Sequence, residues 1–190
     1  MSLSQSKKGQ LESASQQPDW QTIIAVQNHL LPSSESGPGA QEINAFVYLF
    51  NVVNEQPTEE DEKAFIFKGV GWLNGHSNNQ LSKQFVALSI EEKERILKEV
   101  SQSRAGENWL NTLLNYIFEA MLSPPVYGGN PNGVGWKWLK HQAGFPLPQA
   151  GDRYYELPAG TKFKPLGQKI ARNHIIPIKQ NTNPKRAVKS

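Results

Sequence analysis

Between Trp20 and Met121 the apolar residues of this chain recur at helical spacings, and no run alternates convincingly with period two. That single periodicity removes sheets, sandwiches and barrels and leaves a helical bundle. Pro18 and Asp19 open a first segment carrying Trp20, Ile23, Ile24, Leu30 and Leu31, which Pro32 stops. Ser33, Ser34, Gly37, Pro38 and Gly39 form a loop, and a second helix is expected from near Ala40 on the stripe Ile43, Phe46, Val47 and Phe50. A third starts at Pro57 and Thr58, with Thr58 and Asp61 spaced as a capping box and Phe65, Ile66, Val70 and Leu73 as its apolar set. Gly75 is expected to end it. Leu81, Phe85 and Leu88 suggest a short turn, after which Ser89 and Glu92 make a second capping box for a segment through Val100. Beyond Gly106 comes the clearest amphipathic stretch, Trp109, Leu110, Leu113, Leu114, Ile117, Phe118 and Met121, ended by Pro124 and Pro125. The expectation is an all-α bundle of about five or six helices, its apolar stripes filling an ordinary core.

Length and composition narrow the function. One domain with tails suits 190 residues. With no cysteine, the chain has no disulfide framework, thiolate zinc site, cysteine-held iron–sulfur cluster, c-type haem attachment or cysteine nucleophile. The longest apolar run, Ala45 to Phe50, is far short of the roughly 20 residues of a membrane span. Residues 1–17 are Gln- and Ser-rich with Lys7 and Lys8 but no apolar stretch behind them. They read as a disordered polar leader, or as what remains of a removed signal.

The net charge of +3 conceals a split. Residues 1–152 carry 11 Lys/Arg against 16 Asp/Glu, net −5, whereas residues 153–190 carry 9 Lys/Arg against Glu156 alone, net +8. From about residue 144 prolines multiply and helical spacing disappears, yet Phe145, Tyr154, Tyr155, Leu157, Phe163, Leu166, Ile170, Ile175, Ile176 and Ile178 persist. Residues 144–190 are therefore expected to be an extended basic arm that packs on something, beyond a bundle of residues 18–143. The arm's charge fits nucleic acid, an anionic membrane or an acidic protein surface, and equally a solubilising tail. No helix-turn-helix, RNA-binding sheet motif or amphipathic basic helix accompanies it.

One segment is not explained by a helical core. Pro125-Val126-Tyr127-Gly128-Gly129-Asn130-Pro131-Asn132-Gly133-Val134-Gly135-Trp136-Lys137-Trp138 describes a tightly turned loop, with Asn130 to Gly133 as β-turn chemistry. Gly128, Gly129 and Gly135 allow positive φ or the close approach of another backbone. A phosphate loop fails because Trp136 separates Gly135 from Lys137, and the dinucleotide fingerprint lacks its third glycine and its preceding strand. Two readings remain: a loop that folds Trp136 and Trp138 back onto the bundle, or an interaction loop with exposed rings.

Tyr127-Gly128-Gly129-Asn130, then Gly133 and Gly135-Trp136-Lys137, resembles the signature near the C-terminal end of the gluconate 2-dehydrogenase subunit 3 family. Leu31-Pro32 and Gly37-Pro38-Gly39-Ala40 resemble that family's helix-ending Leu-Pro and the Pro-Gly-Ala that opens its next helix, and Phe85, Leu88 and Ser89 follow in order. The likeness covers roughly residues 20–148. It implies a small subunit without a cofactor, one of three in flavin-dependent dehydrogenases of sugars and sugar acids. In that resemblance a large glucose–methanol–choline-type subunit holds FAD, a multihaem cytochrome c subunit passes electrons to the membrane quinone pool, and the small subunit assists folding, stability and export of the large one. A periplasmic location follows by resemblance, though no Arg-Arg pair opens this chain, which points to the cytoplasm if no signal exists.

The search for catalytic chemistry agrees with a non-catalytic role. His29, His76, His141 and His174 show no i, i+4 pairing, Glu59 to Glu62 suits a helix N-terminus, and there is no Gly-x-Ser-x-Gly elbow. The favoured expectation is an all-α accessory subunit whose partner contacts are Tyr127, Gly128, Gly129, Asn130, Gly133, Gly135, Trp136, Lys137 and Trp138 of the loop and Tyr154, Tyr155 and Phe163 of the arm. The alternative is an autonomous binder of nucleic acid or anionic surfaces through the arm.

Overall fold

A computed structural model describes residues 5–141. Within them lie seven α-helices and no strand: α1 (Gln5–Ser15), α2 (Pro18–Leu30), α3 (Ala45–Glu55), α4 (Glu60–Leu81), α5 (Ile90–Ser101), α6 (Arg104–Leu122) and α7 (Val134–Leu139). The chain is all-α. The arm expected over 144–190, with Tyr154, Tyr155 and Phe163, lies outside the described residues.

Packing is organised on α6, which meets α2, α3, α4, α5 and α7. Its inner face supplies Trp109, Leu113, Ile117, Ala120 and Met121, all buried, against Ile23 and Val26 of α2, Leu49 of α3, Ile66, Val70 and Leu73 of α4 and Ile96 of α5. Trp109 is the largest fully buried side chain, and its indole Nε1 donates to the Ile66 carbonyl at 2.9 Å. Gly69 makes room for that ring, since a Cβ there would overlap it. A second aromatic group gathers on Trp20, whose ring meets Phe46 and Phe67 edge-on at centroid distances of 5.5 and 5.3 Å.

Four local expectations need correction. Residues 1–17 are not wholly a disordered leader: residues 5–15 form α1, held because Leu11 and Ala14 bury against the bundle. The helix expected from Ala40 begins at Ala45, because Asn44 adopts a left-handed conformation (φ 56°) and residues 40–44 close as turns, with Ala45 N–H donating to the Ala40 carbonyl. Thr58 does not cap α4, since the helix starts at Glu60 with Glu59 at its N-cap; the Thr58 hydroxyl donates to the Val52 carbonyl at 3.0 Å. Nor does Gly75 end α4, which runs to Leu81 and stops at the left-handed Ser82. The Ser89–Glu92 capping box is present in full, with Glu92 N–H on the Ser89 hydroxyl and Ser89 N–H on the Glu92 carboxylate at 2.8 Å.

Candidate interaction site

The segment after α6 is bolted to the bundle mostly by backbone groups and one asparagine. Pro124 cannot continue the helix, and a 3-10 turn at Pro125–Tyr127 leads to Gly128 at φ 96°. There a Cβ would strike the Asn51 amide, whose Nδ2 already donates to the Tyr127 carbonyl at 2.9 Å. Gly129 and Gly135 have no room for a side chain, because a Cβ on either would fall under 3 Å from the backbone of Ala120 or Met121 in α6. Between them Asn130 is fully buried and left-handed (φ 49°). Its N–H donates to the Ile43 carbonyl (2.8 Å), its Nδ2 to the Ser123 carbonyl (3.1 Å), and its Oδ1 accepts from Gly135 N–H (2.8 Å). Asn130 to Gly133 is the expected β-turn, with Gly133 N–H on the Asn130 carbonyl at 3.0 Å.

The rings fold back. Trp136 is half-buried and its Nε1 donates to the Leu122 carbonyl at 2.7 Å. Trp138 reaches across to the loop after α2, its Nε1 donating to the Ser36 carbonyl at 2.5 Å, with Gly37 lying against the indole. The segment expected to be a loop through Trp138 turns helical at Val134, so Gly135, Trp136, Lys137 and Trp138 lie on α7, and the residues singled out from the sequence fall into two groups. Gly129, Asn130, Gly133 and Gly135 are buried and Gly128 half-buried, while Tyr127, Lys137 and Trp138 remain exposed.

Sequence reasoning missed what surrounds the loop. Phe118, assigned to the core stripe, is 47% exposed, and Leu122, one turn on, is 48% exposed. Both stand at the loop's edge on α6, because the inner face is already filled by Ile117, Ala120 and Met121. Beside them Tyr48 donates to Glu119 at 3.1 Å and Tyr116 to Glu62 at 2.5 Å. Burial first, then the neighbouring Glu119 carboxylate, pushes the Tyr48 hydroxyl up to about 12. Tyr116 is raised as well, by burial and then by its bond to Glu62. A signal existed for Asn51, the lone polar residue between Ala45 and Val53; the tyrosine–carboxylate pairs span 71 and 54 positions and leave no local trace. Among the described residues no group of three or more His, Asp or Glu is placed to hold a metal ion. No helix among them is long and apolar enough to cross a membrane.

Fold and site together define an all-helical bundle closed by a glycine-rich clasp and bordered by exposed aromatic and aliphatic side chains. The family model for gluconate 2-dehydrogenase subunit 3 matches residues 17–144, and the chain belongs to that family. The match begins just before α2 and ends just after the clasp, so it takes in α2 to α7 and leaves out α1. No curated protein and no solved structure matches the chain.

Proposed function

We propose that this chain is a non-catalytic accessory subunit that binds and stabilises an FAD-dependent sugar, sugar-acid or polyol dehydrogenase and assists its export. FAD belongs to the partner and haem c to a third, cytochrome subunit, and the complex works in the periplasm on the membrane surface. The observation that carries this reading is the family match over 17–144, whose description is that of a dehydrogenase subunit. The exposed Tyr127, Lys137 and Trp138, standing on a clasp that fixes their positions, support a role in contact rather than turnover.

The test is co-expression of the tagged chain with a candidate FAD-dependent large subunit from the same source. Retention of a flavin-containing large subunit, whose soluble yield falls when this chain is omitted, is the expected result. Trp138→Ala and Tyr127→Ala should each reduce the retained dehydrogenase activity. Recovery of the chain free of any flavoprotein, with large-subunit yield unchanged in its absence, overturns the reading.

A further inference from the structure

The solvent side of α6 is unusual in what it lacks. From Glu107 onward its outward positions include Glu107, Asn108, Asn111, Asn115, Phe118, Glu119 and Leu122, without a single Lys or Arg. Phe118 and Leu122, four residues apart and therefore stacked on one face, line an open groove of about 490 Å³ with Tyr48, Asn115, Glu119 and Ser123. Single exposed apolar side chains are ordinary, but two adjacent ones shaping a groove beside a rigid loop are not. Glu119 lies in the same groove, while Glu62 lies outside its lining and is held by Tyr116, whose hydroxyl Glu119 also influences; both carboxylates are exposed and neither forms an ion pair with a described residue. The described residues as a whole carry 11 Lys/Arg against 15 Asp/Glu, net −4.

We propose that this α6 groove is the docking surface for the dehydrogenase partner, and that the partner segment seated in it presents an apolar side chain to Phe118 and Leu122 flanked by Lys or Arg that meet Glu119 and Glu62. The inference deepens the accessory-subunit reading and rests on it. Charge complementarity selects the occupant: an acidic or neutral segment would leave two carboxylates uncompensated beside it, whereas a basic one pairs them without rearranging the bundle. The tyrosine bonds hold both carboxylates in place before docking, which lowers the ordering needed on association.

Capture of the co-expressed large subunit by the full-length tagged chain reads the proposal. Phe118→Asp should weaken capture by roughly tenfold or more, as loss of a central anchor does, whereas Ile90→Asp, on an exposed position of α5 away from the groove, should leave it unchanged. Asn115→Lys and Asn115→Glu supply a test by sign, since Asn115 is exposed and its exchange leaves the core intact. The lysine should repel the basic segment and the glutamate should hold or tighten it, with the difference shrinking as salt rises. Wild-type capture by Phe118→Asp, or equal capture by the two Asn115 variants, overturns the proposal. So does a wild-type chain that dimerises alone and becomes monomeric on Phe118→Asp, which would make a second copy the occupant. Failure of the wild-type chain to capture any flavoprotein instead overturns the accessory-subunit reading itself, and the two failures are thereby distinguished.

Discussion

Glycine plays opposite roles at different positions of this chain. Gly129 and Gly135 lie against the α6 backbone, which is unable to withdraw, so Gly129→Ala or Gly135→Ala should destabilise the fold by about 2 kcal/mol or more in chemical denaturation. Gly71 and Gly75 sit inside α4 with open space where a Cβ would go. Alanine at either should stabilise by about 0.5–1 kcal/mol, because it restricts the unfolded chain and improves helix propensity. The sequence makes the clasp glycines legible as a cluster, but which of them touch a helix backbone depends on Ala120 and Met121, nine and fourteen positions away. Tyr48 carries a second prediction. The folded protein holds its proton to about 12 while the unfolded chain releases it near 10, so the unfolded state binds fewer protons between those values. Stability is therefore full below pH 10 and should fall between pH 10 and 12, and Tyr48→Phe should flatten that decline in melting curves recorded against pH.

Two segments of similar pattern, Thr58-x-x-Asp61 and Ser89-x-x-Glu92, show what local reading reaches at the level of helices. Only the second caps, because α4 begins one residue later than the pattern requires, with Glu59 at its N-cap, and the Thr58 hydroxyl donates back to the Val52 carbonyl in the last turn of α3. Ser89→Ala should cost about 1 kcal/mol in thermal unfolding. The Glu92 carboxyl is held below its ordinary range, first by the Ser89 backbone N–H and then by Lys83. Its contribution is present above the ordinary carboxylate range and is lost as pH falls through the lowered value, so the penalty of Glu92→Ala, which removes that carboxylate, should shrink in acid. The long helices α2, α5 and α6 were readable because their apolar stripes are strong and their ends carry proline or a capping residue. Helix α1 was not, since it offers only Leu11 and Ala14 to the core and is otherwise polar; packing rather than propensity holds it. Phe118 misled for the converse reason: an apolar residue next to the stripe reads as core when only the tertiary arrangement shows that the inner face is full.

At the scale of the whole chain, every buried hydrophobic side chain among the described residues lies between Leu11 and Met121, which makes residues 1–145 a unit with its own core. Removing residues 146–190 should leave a cooperative melting transition, checked by circular dichroism, while the formal charge moves from +3 to −4. The same compactness gives the Asn130 clasp a further meaning. That side chain ties the end of α6 to the start of α7, and its backbone N–H ties both to Ile43, so the most recognisable letters of the chain are spent on closing the frame. On the accessory-subunit proposal, Tyr-Gly-Gly-Asn therefore marks the scaffold, and the choice of enzyme would be written in the outward letters at 115, 118, 119 and 122.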